Sequence, residues 1–282
     1  MTMTSTDAAG AIPPGRSPVH LKVMLILMSM IPLLLMGTAA RAQEATPISA
    51  GASPTPAAGC GERLGIGDGT VACLTFVHAS SDAGSVDISI DGRVLFSGVG
   101  FDSSTGFVAV PAATYAISIS AAGQPDTILI ENSGLDLAAG VGVEFAIAGS
   151  RDASTLQSLV LPIAPAAPPA GSASLRVVQT IPDAPPLDIG LAGGDTLIGN
   201  LAPLTASGYL SSPATSTSIE VRAAGSADVL FPVPTFPVPS GATITIYALG
   251  TVTSPTGISL LTVLVPGAGQ PGAGTPVATP AA

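Results

Sequence analysis

The chain has 282 residues, of which 47% are hydrophobic and only 9% are charged. Its formal net charge is −10, with eighteen acidic residues against eight basic ones. An acidic surface repels phosphate backbones and anionic lipids, so the composition argues against nucleic acid and anionic membrane surfaces as partners.

The first 42 residues have the pattern of a secretory signal peptide. Arg16 and Lys22 precede an apolar run over residues 23–36, and an Ala-Arg-Ala motif ends at Ala42. We expect cleavage before Gln43 and a secreted or cell-surface associated, extracytoplasmic product without a stable membrane span. Retention of the segment as an anchor is the alternative, and it would also place the rest of the chain outside.

Two cysteines follow this segment, Cys60 and Cys73, and disulfides persist outside the cytoplasm. The Gly-rich loop between them is flexible, and closing a loop of this length stabilises a fold by about 3 kcal/mol. A metal site would need more ligands nearby than one histidine and scattered acids. A lipid anchor on Cys60 would need the apolar run directly before it. The sequence therefore predicts a structural disulfide and no metal.

Segments rich in Pro, Gly and Ala divide the rest of the chain. We expect residues 43–69 to be a low-complexity linker, 164–171 a stiff Pro/Ala linker, and 267–282 a disordered tail. Between them lie residues 70–163 and 172–266, which we call the first and second copy. Each copy is short enough that we expect modest stability.

Hydrophobic residues recur with a period of two in both copies, which is typical of strands. In SVDISID, the apolar residues Val86, Ile88 and Ile90 point to one face, and Ser and Asp point to the other. Turn residues punctuate these runs at the spacing of an antiparallel sandwich. The prediction is an all-β chain of two tandem immunoglobulin-like antiparallel β-sandwich domains, without a convincing amphipathic helix.

The two copies repeat the same motif. Asp82 and Asp183, and likewise Asp87 and Asp188, fall 101 residues apart, and several later pairs fall 102 apart. One insertion and one later deletion account for these offsets, so we interpret the chain as a tandem duplication. The disulfide lies in the first copy alone. We therefore expect the second copy to be the weaker one, unless the two pack together.

His78 is the one histidine after the predicted cleavage site, and Gln179 takes its place in the second copy. With neighbouring Ser80 and Asp82 it supplies the residue types of a catalytic triad, but adjacent strand residues point to opposite faces. We expect His78 to end the first strand with its ring partly buried or bonded to a nearby loop. No catalytic residue is predicted.

The repeated aspartates have both structural and ligand-binding interpretations. Asp87 and Asp91 lie four apart on one strand face, which would suit a cation or acid–base chemistry. More simply, Asp87 and its counterpart Asp188 lie on a solvated face, and Asp91 begins a hairpin turn. Asp82 and Asp183 each follow a first strand, where Asp often accepts backbone N–H groups two residues on in an Asx-turn. The structural roles are favoured, and no cofactor is predicted.

VHASSDA at residues 77–83, followed by VDI at 86–88 and DG at 91–92, resembles the V-H-A-S-P-D-A-P-x-V-D-V-x-x-D-G signature of a bacterial family. This is the domain-of-unknown-function 4397 family. VPAATY at 110–115 is similar to that family's V-P-A-G-T-Y. The second copy matches less well, because it lacks the histidine and the Asp-Gly pair. The resemblance implies an extracytoplasmic, often tandem, immunoglobulin-like β-domain with no known activity.

These features favour a secreted, non-enzymatic β-sandwich protein that acts as an envelope or extracellular interaction module. Its expected partner is a cell-envelope or extracellular protein or polymer, contacted through loops or exposed sheet edges. An extracytoplasmic hydrolase and a calcium-dependent binding protein are the alternatives. A deep pocket joining His78 to Asp82 or Asp87 would favour the hydrolase. The sequence leaves the oligomeric state open.

Overall fold

The structure, a computed structural model, describes residues 58–164, 167–215, 218–253, 257–268 and 278–279. The predicted signal peptide, most of the first linker and most of the tail lie outside the described residues. None of the helices in the described ranges has the length and hydropathy needed to cross a membrane.

Strands dominate the described part of both copies. The first copy contains α1 (Cys60–Leu64), β1 (Val71–His78), β2 (Val86–Ile90), β3 (Arg93–Val99), β4 (Ser103–Ser104), β5 (Val108–Pro111), β6 (Ala113–Ala121), β7 (Gln124–Leu137), β8 (Gly142–Ala148) and β9 (Gln157–Ile163). The second contains β10 (Ser172–Gln179), β11 (Leu187–Leu191), β12 (Thr196–Leu201), β13 (Thr205–Ala206), β14 (Leu210–Pro213), β15 (Ile219–Ala223), β16 (Val229–Pro232), β17 (Thr243–Gly250) and β18 (Ile258–Val265). The short β19 (Ala278–Thr279) pairs with β18.

Each copy is built from two sheets. The sheet that we call inner has the order β4-β1-β8-β9 in the first copy, with β5 also pairing β1, and the outer sheet has the order β3-β2-β6-β7. The second copy repeats this with β13-β10-β17-β18 and β12-β11-β15-β16. The predicted all-β class with two tandem sandwiches is confirmed.

One strand pair in each copy differs from the antiparallel expectation. β1 and β8 run parallel, with Leu74 opposite Val143, and β10 and β17 pair in the same way, with Leu175 opposite Ile244. The alternation of apolar residues shows which face of a strand is buried, but it carries no information about the direction of the neighbouring strand. The sequence could therefore predict the sheets without predicting this pair.

Each sandwich has its own core between its inner and outer sheets. In the first copy, the rings of Phe76 and Phe145 on the inner sheet lie 5.5 Å apart and pack with Ile88 and Ile119 of the outer sheet. In the second copy, aliphatic residues such as Val177 take the equivalent places. Interdigitation of the two faces excludes water, which is the main source of stability in such a sandwich.

The two inner sheets also pack against each other. Val77 and Ala146 of the first copy join Val178, Tyr247 and Leu249 of the second in a further core cluster. β1, β8, β10 and β17 are therefore buried on both faces along almost their whole length. The described residues of the two copies therefore belong to one compact unit.

The predicted disulfide is confirmed and holds a short helix that the sequence analysis missed. Cys60 in α1 is bonded to Cys73 in β1, and the Glu62 carboxylate caps α1 by accepting the N–H of Gly59 at 3.0 Å. A five-residue helix is too short to show a hydrophobic period, so a pattern search cannot find it. This segment does not support the first copy alone, because Arg63 donates to the carbonyl of Pro266 at 2.9 Å.

Candidate functional site

His78 lies at the end of β1 with no exposed surface. Its Nε2 is 2.7 Å from the carbonyl of Gly84, and the N–H of Ser80 approaches Nδ1 at 3.4 Å. This arrangement fits a neutral ring with its proton on Nε2. Burial lowers the pKa of His78, opposed by the hydrogen bond to Gly84. In the second copy, Nε2 of Gln179 donates to the carbonyl of Pro185 at 3.0 Å.

Asp82 joins the β1–β2 loop to the turn between β8 and β9. Oδ1 accepts the N–H of Arg151 at 2.9 Å and the Ser80 hydroxyl at 3.0 Å. Oδ2 accepts the Ser150 hydroxyl at 2.6 Å and the N–H of Asp152 at 3.1 Å. Burial acts to raise the pKa of Asp82, but these four bonds outweigh it and lower the pKa to about 2. We call this arrangement the carboxylate bridge of the first copy.

The second copy has the same carboxylate bridge. Asp183 Oδ1 accepts the N–H of Val252 at 3.0 Å, and Oδ2 accepts the N–H and hydroxyl of Thr253 at 3.2 and 2.7 Å. The Asx-turn expected at Asp82 and Asp183 is therefore wrong, because the carboxylates reach a turn about 70 residues away. The parallel pairing of β1 with β8 is the cause, since parallel strands end at the same edge of a sheet.

Asp87 makes a second bridge, on the outer sheet. Its Oδ1 and Oδ2 accept the N–H groups of Gly98 and Gly123, both at 2.8 Å. These bonds lower the pKa of Asp87. Asp188 repeats the arrangement with Asn200 and Gly225 at 2.7 and 2.9 Å. Both carboxylates thus hold neighbouring strands and turns in place, as well as lying on a polar face.

The hairpin expected at Asp91 is present. Asp91 and Gly92 connect β2 to β3 with φ angles of 48° and 76°, the positive values that a tight hairpin turn requires. Asp91 Oδ1 also accepts the N–H of Ala116 at 2.9 Å. Its side chain therefore points to β6 of the same sheet, and Asp87 and Asp91 hold separate backbone groups.

The carboxylate bridges of Asp82 and Asp183 border one depression. It measures about 280 Å³ and is lined by residues of the β1–β2 and β8–β9 loops of the first copy and of the equivalent loops of the second: Ser81, Asp82, Ser150, Ala153, Thr155, Pro182, Asp183, Thr251 and Thr253. We call this surface the paired loop end. Hydroxyl groups form much of its lining, while both carboxylates are occupied by backbone and hydroxyl donors. The sequence motif identified Asp82 and Asp183 but not their meeting in one place.

The turn that carries Ser150 is shaped by a glycine. Gly149 has φ +95°, and a Cβ there would lie 2.3 Å from the carbonyl oxygen of Thr155. Gly250 has φ +101° and would meet the carbonyl oxygen of Gly257 at the same distance. Only glycine fits such a position without a backbone shift. Gly149 and Gly250 lie 101 residues apart, and this repetition is the signal in the sequence for the turn that each carboxylate bridge contacts.

The acidic side chains of the described residues do not converge on a metal site. Within the described ranges, no group of three or more His, Cys, Asp or Glu side chains is arranged to hold a metal ion. The depression does bring two aspartates to one surface, but their oxygen atoms already accept hydrogen bonds from backbone N–H groups. What the paired loop end offers chemically is a hydrogen-bonding surface whose loops are joined by the two carboxylate bridges.

The fold and the paired loops define a tandem β-sandwich protein whose two copies pack into one compact unit. Residues 72–190 and 173–272 match the model of the family described as Domain of unknown function (DUF4397). The chain belongs to this family and carries it twice, as the sequence resemblance predicted. The C-terminal domain of AlgF from P. aeruginosa is also similar, at 15% identity over 33% of this chain and 98% of that chain, with a TM-score of 0.27. No curated protein matches the chain.

Proposed function

We propose that the chain is an extracytoplasmic, non-enzymatic interaction module that binds a cell-envelope or extracellular protein or polymer through the paired loop end. The observation that carries this proposal is the duplication of the carboxylate bridge, with both bridges at one depression. Loops that are held before binding lose less conformational entropy when a partner arrives. A duplicated, preorganised pair of loops is therefore suited to recognition.

The proposed compartment is supported by the chemistry of the chain. The bond between Cys60 and Cys73 suits an oxidising environment, and the first 42 residues have the pattern of an export signal. Members of the family are expected outside the cytoplasm. These observations together favour a protein released from the cell or held at its surface.

The lining of the paired loop end limits the kind of partner. Ser81 and Thr251 present hydroxyl groups in the depression, and Val252, next to Thr251 in the chain, is an exposed apolar residue. The net charge of −10 disfavours a polyanionic polymer. We expect a neutral or basic surface rich in hydrogen-bonding groups, on either an envelope protein or a polymer.

Co-sedimentation with envelope fragments of the producing organism tests the proposal. The purified chain from residue 43 onward is compared with Ala153→Arg and Thr251→Arg, which place a bulky cation in the depression, and with Val94→Arg on the outer sheet as the matched control. We expect the first two variants to lose retention and the control to keep it. Point variants are used because deleting one copy would expose the inner sheet of the other.

Two results would contradict the proposal. Equal retention of all variants would remove the paired loop end as the binding surface. Failure of the unaltered chain to sediment, with or without calcium, would remove envelope binding itself. A soluble ligand or substrate would then be the better explanation. Mass spectrometry of retained material identifies the partner if binding occurs.

A further inference from the structure

A polar cluster lies within the interface between the two inner sheets. Glu144 of the first copy is only 1% exposed, and its Oε1 lies 3.3 Å from Nη2 of Arg176 in the second copy. The hydroxyl of Thr245 donates to the same Oε1 at 2.8 Å, and the hydroxyl of Tyr247 donates to Oε2 at 2.5 Å. The carboxylate of one copy is therefore satisfied entirely by groups of the other.

Arg176 is held equally well. Its Nη1 donates to the carbonyl of Pro162 in the first copy at 3.1 Å, and its guanidinium carbon lies 4.7 Å from the centre of the Tyr209 ring. Nε and Nη2 also approach the Thr245 hydroxyl at 3.3 and 3.2 Å. A charge that is 5% exposed requires such partners, because burial of an unpaired charge is costly.

The duplication relates these residues in pairs. Thr75 lies opposite Glu144 in the first inner sheet, and Arg176 lies opposite Thr245 in the second. At the offset of 101, Thr75 corresponds to Arg176, and Glu144 corresponds to Thr245. The inner face of the first copy thus presents Thr and Glu at the two positions where the second presents Arg and Thr.

We infer that this polar cluster makes each inner face selective for a copy of the other kind. Two faces of the first kind would bring a second carboxylate to the position where Glu144 meets Thr245, without a cation. Two faces of the second kind would bury Arg176 twice, without a carboxylate. The partner that the first face fits is a repeat with Arg and a small hydroxyl residue at the positions of Arg176 and Thr245.

Apolar residues that the two copies share cannot supply this selectivity; where the copies differ, as at Ala146 and Tyr247, every variant below keeps both residues. Val77 of the first copy corresponds to Val178 of the second, and both lie in the same interface cluster. Apolar contact is not directional, so it holds like and unlike faces together almost equally. Discrimination between partners requires a contact that penalises the wrong one, and a buried charge without a counter-ion does so.

A set of full-length variants tests this inference. Arg176→Thr with Thr245→Glu gives the second copy the polar pair of the first, so like faces meet within one chain. Adding Thr75→Arg and Glu144→Thr produces a four-fold variant with the ion pair moved to the equivalent positions. Thr245→Ser is the control that keeps the hydroxyl group.

Nitration of tyrosines, followed by mass spectrometry, reports whether the interface is closed. Tyr247 has no exposed surface, whereas Tyr115 is partly exposed on the outer sheet and serves as the internal reference. In the unaltered chain and the control we expect Tyr115 to react and Tyr247 to stay protected. The double variant should make Tyr247 as reactive as Tyr115, and the four-fold variant should restore most of its protection.

Protection of Tyr247 in the double variant would overturn the inference, because like faces would then pair. The inference would also be overturned if Tyr247 were as reactive in the four-fold variant as in the double variant. That result would mean that any change to the cluster opens the interface, whether or not the charges match. Circular dichroism checks that the strands persist in each variant. The result is independent of envelope binding, because it is read from the purified chain alone.

Discussion

His78 and Gln179 keep one hydrogen bond with two different side chains. Each donates its Nε2–H to a backbone carbonyl in the loop after the first strand of its copy, at Gly84 and Pro185. The two side chains differ in that only the histidine titrates near neutral pH. This difference predicts that the first copy, but not the second, carries a pH-dependent contribution from this position.

His78→Gln should leave stability at pH 8 within about 1 kcal/mol of the unaltered chain, because the bond is kept. Burial lowers the pKa of His78, so the unfolded chain binds the proton more readily than the folded chain. The contribution of His78 to stability is therefore complete above about pH 6.5 and is lost as the pH falls below that value. Urea unfolding should show that the free energy of unfolding falls less between pH 8 and pH 5 in His78→Gln than in the unaltered chain.

The reverse exchange, Gln179→His, is the matched control. It should add to the second copy the same loss of stability between pH 8 and pH 5. If the free energy of unfolding of His78→Gln depends on pH as it does in the unaltered chain, groups other than His78 cause that dependence.

The ion pair between the two inner sheets could not be predicted from the sequence. Glu144 stands in VGVEFAI and Arg176 in SASLRVVQ, each a single charge in an apolar strand. A charge between apolar neighbours on a strand indicates a buried ion pair or a polar face, and one sequence does not decide between them. The partner of Glu144 lies in the other copy, so no spacing within a copy predicts it.

At the scale of elements, strand direction decided which predictions failed. The hydrophobic period located the strands that pair as β2 and β6, and Asp91-Gly92 located the hairpin after β2. The sequence predicts an Asx-turn at Asp82 and not its bonds to the turn between β8 and β9, because the parallel course of β1 and β8 has no signature in the sequence. Local patterns therefore predicted local contacts, while contacts made through strand order required the structure.

The turn after β8 gives a prediction at this scale. Gly149→Ala places a Cβ against the carbonyl of Thr155 at a φ of +95°, whereas Gly84→Ala meets no atom within 4 Å at a φ of +72°. The unfavourable φ alone costs about 1–2 kcal/mol. We expect the free energy of unfolding to fall by about that amount in Gly84→Ala and by clearly more in Gly149→Ala.

Urea denaturation measures both variants, and Gly250→Ala repeats the comparison in the second copy. Equal losses for Gly84→Ala and Gly149→Ala would mean that the turn rearranges around the added methyl group. The carboxylate bridge of Asp82 would then not depend on the shape of that turn.

The packing of inner sheets makes the two copies one body at the scale of the whole molecule. One indication of it is that the runs VACLTFV and TITIYAL contain only threonine besides apolar residues, as expected of strands covered on both faces. The same runs also suit a strand at the centre of an isolated sandwich. The fold class and the duplication could thus be predicted, but the docking of the copies could not.

Removal of the disulfide should weaken both copies together. Cys60→Ala with Cys73→Ala loosens α1, and Arg63 then loses its position against Thr243 and Pro266 of the second copy. We expect a loss of about 3 kcal/mol in the free energy of unfolding and a single calorimetric transition for the whole chain. The sequence-based expectation of a weaker second copy applies only to copies that do not pack together, whereas the two inner sheets pack against each other.

Arg63→Met separates the two contributions. It keeps the disulfide and removes the hydrogen bonds to the second copy, so its transition should stay single with a smaller loss. Two separated transitions in the variant without cysteines, with only the first displaced, would show that the copies unfold independently.

The parallel pairing of β1 with β8 also has a consequence for the newly made chain. Leu74 pairs with Val143, so β1 must wait for roughly 70 further residues before its central partner exists. At synthesis rates of about 5–20 residues per second, that delay is roughly 4–14 s. During this interval the edge of β1 that later pairs with β8 is open, and long-range pairing makes folding slow. The part of each copy that has already been synthesised therefore exposes an unpaired strand edge, to which chaperones can bind until the last strands of that copy emerge from the ribosome.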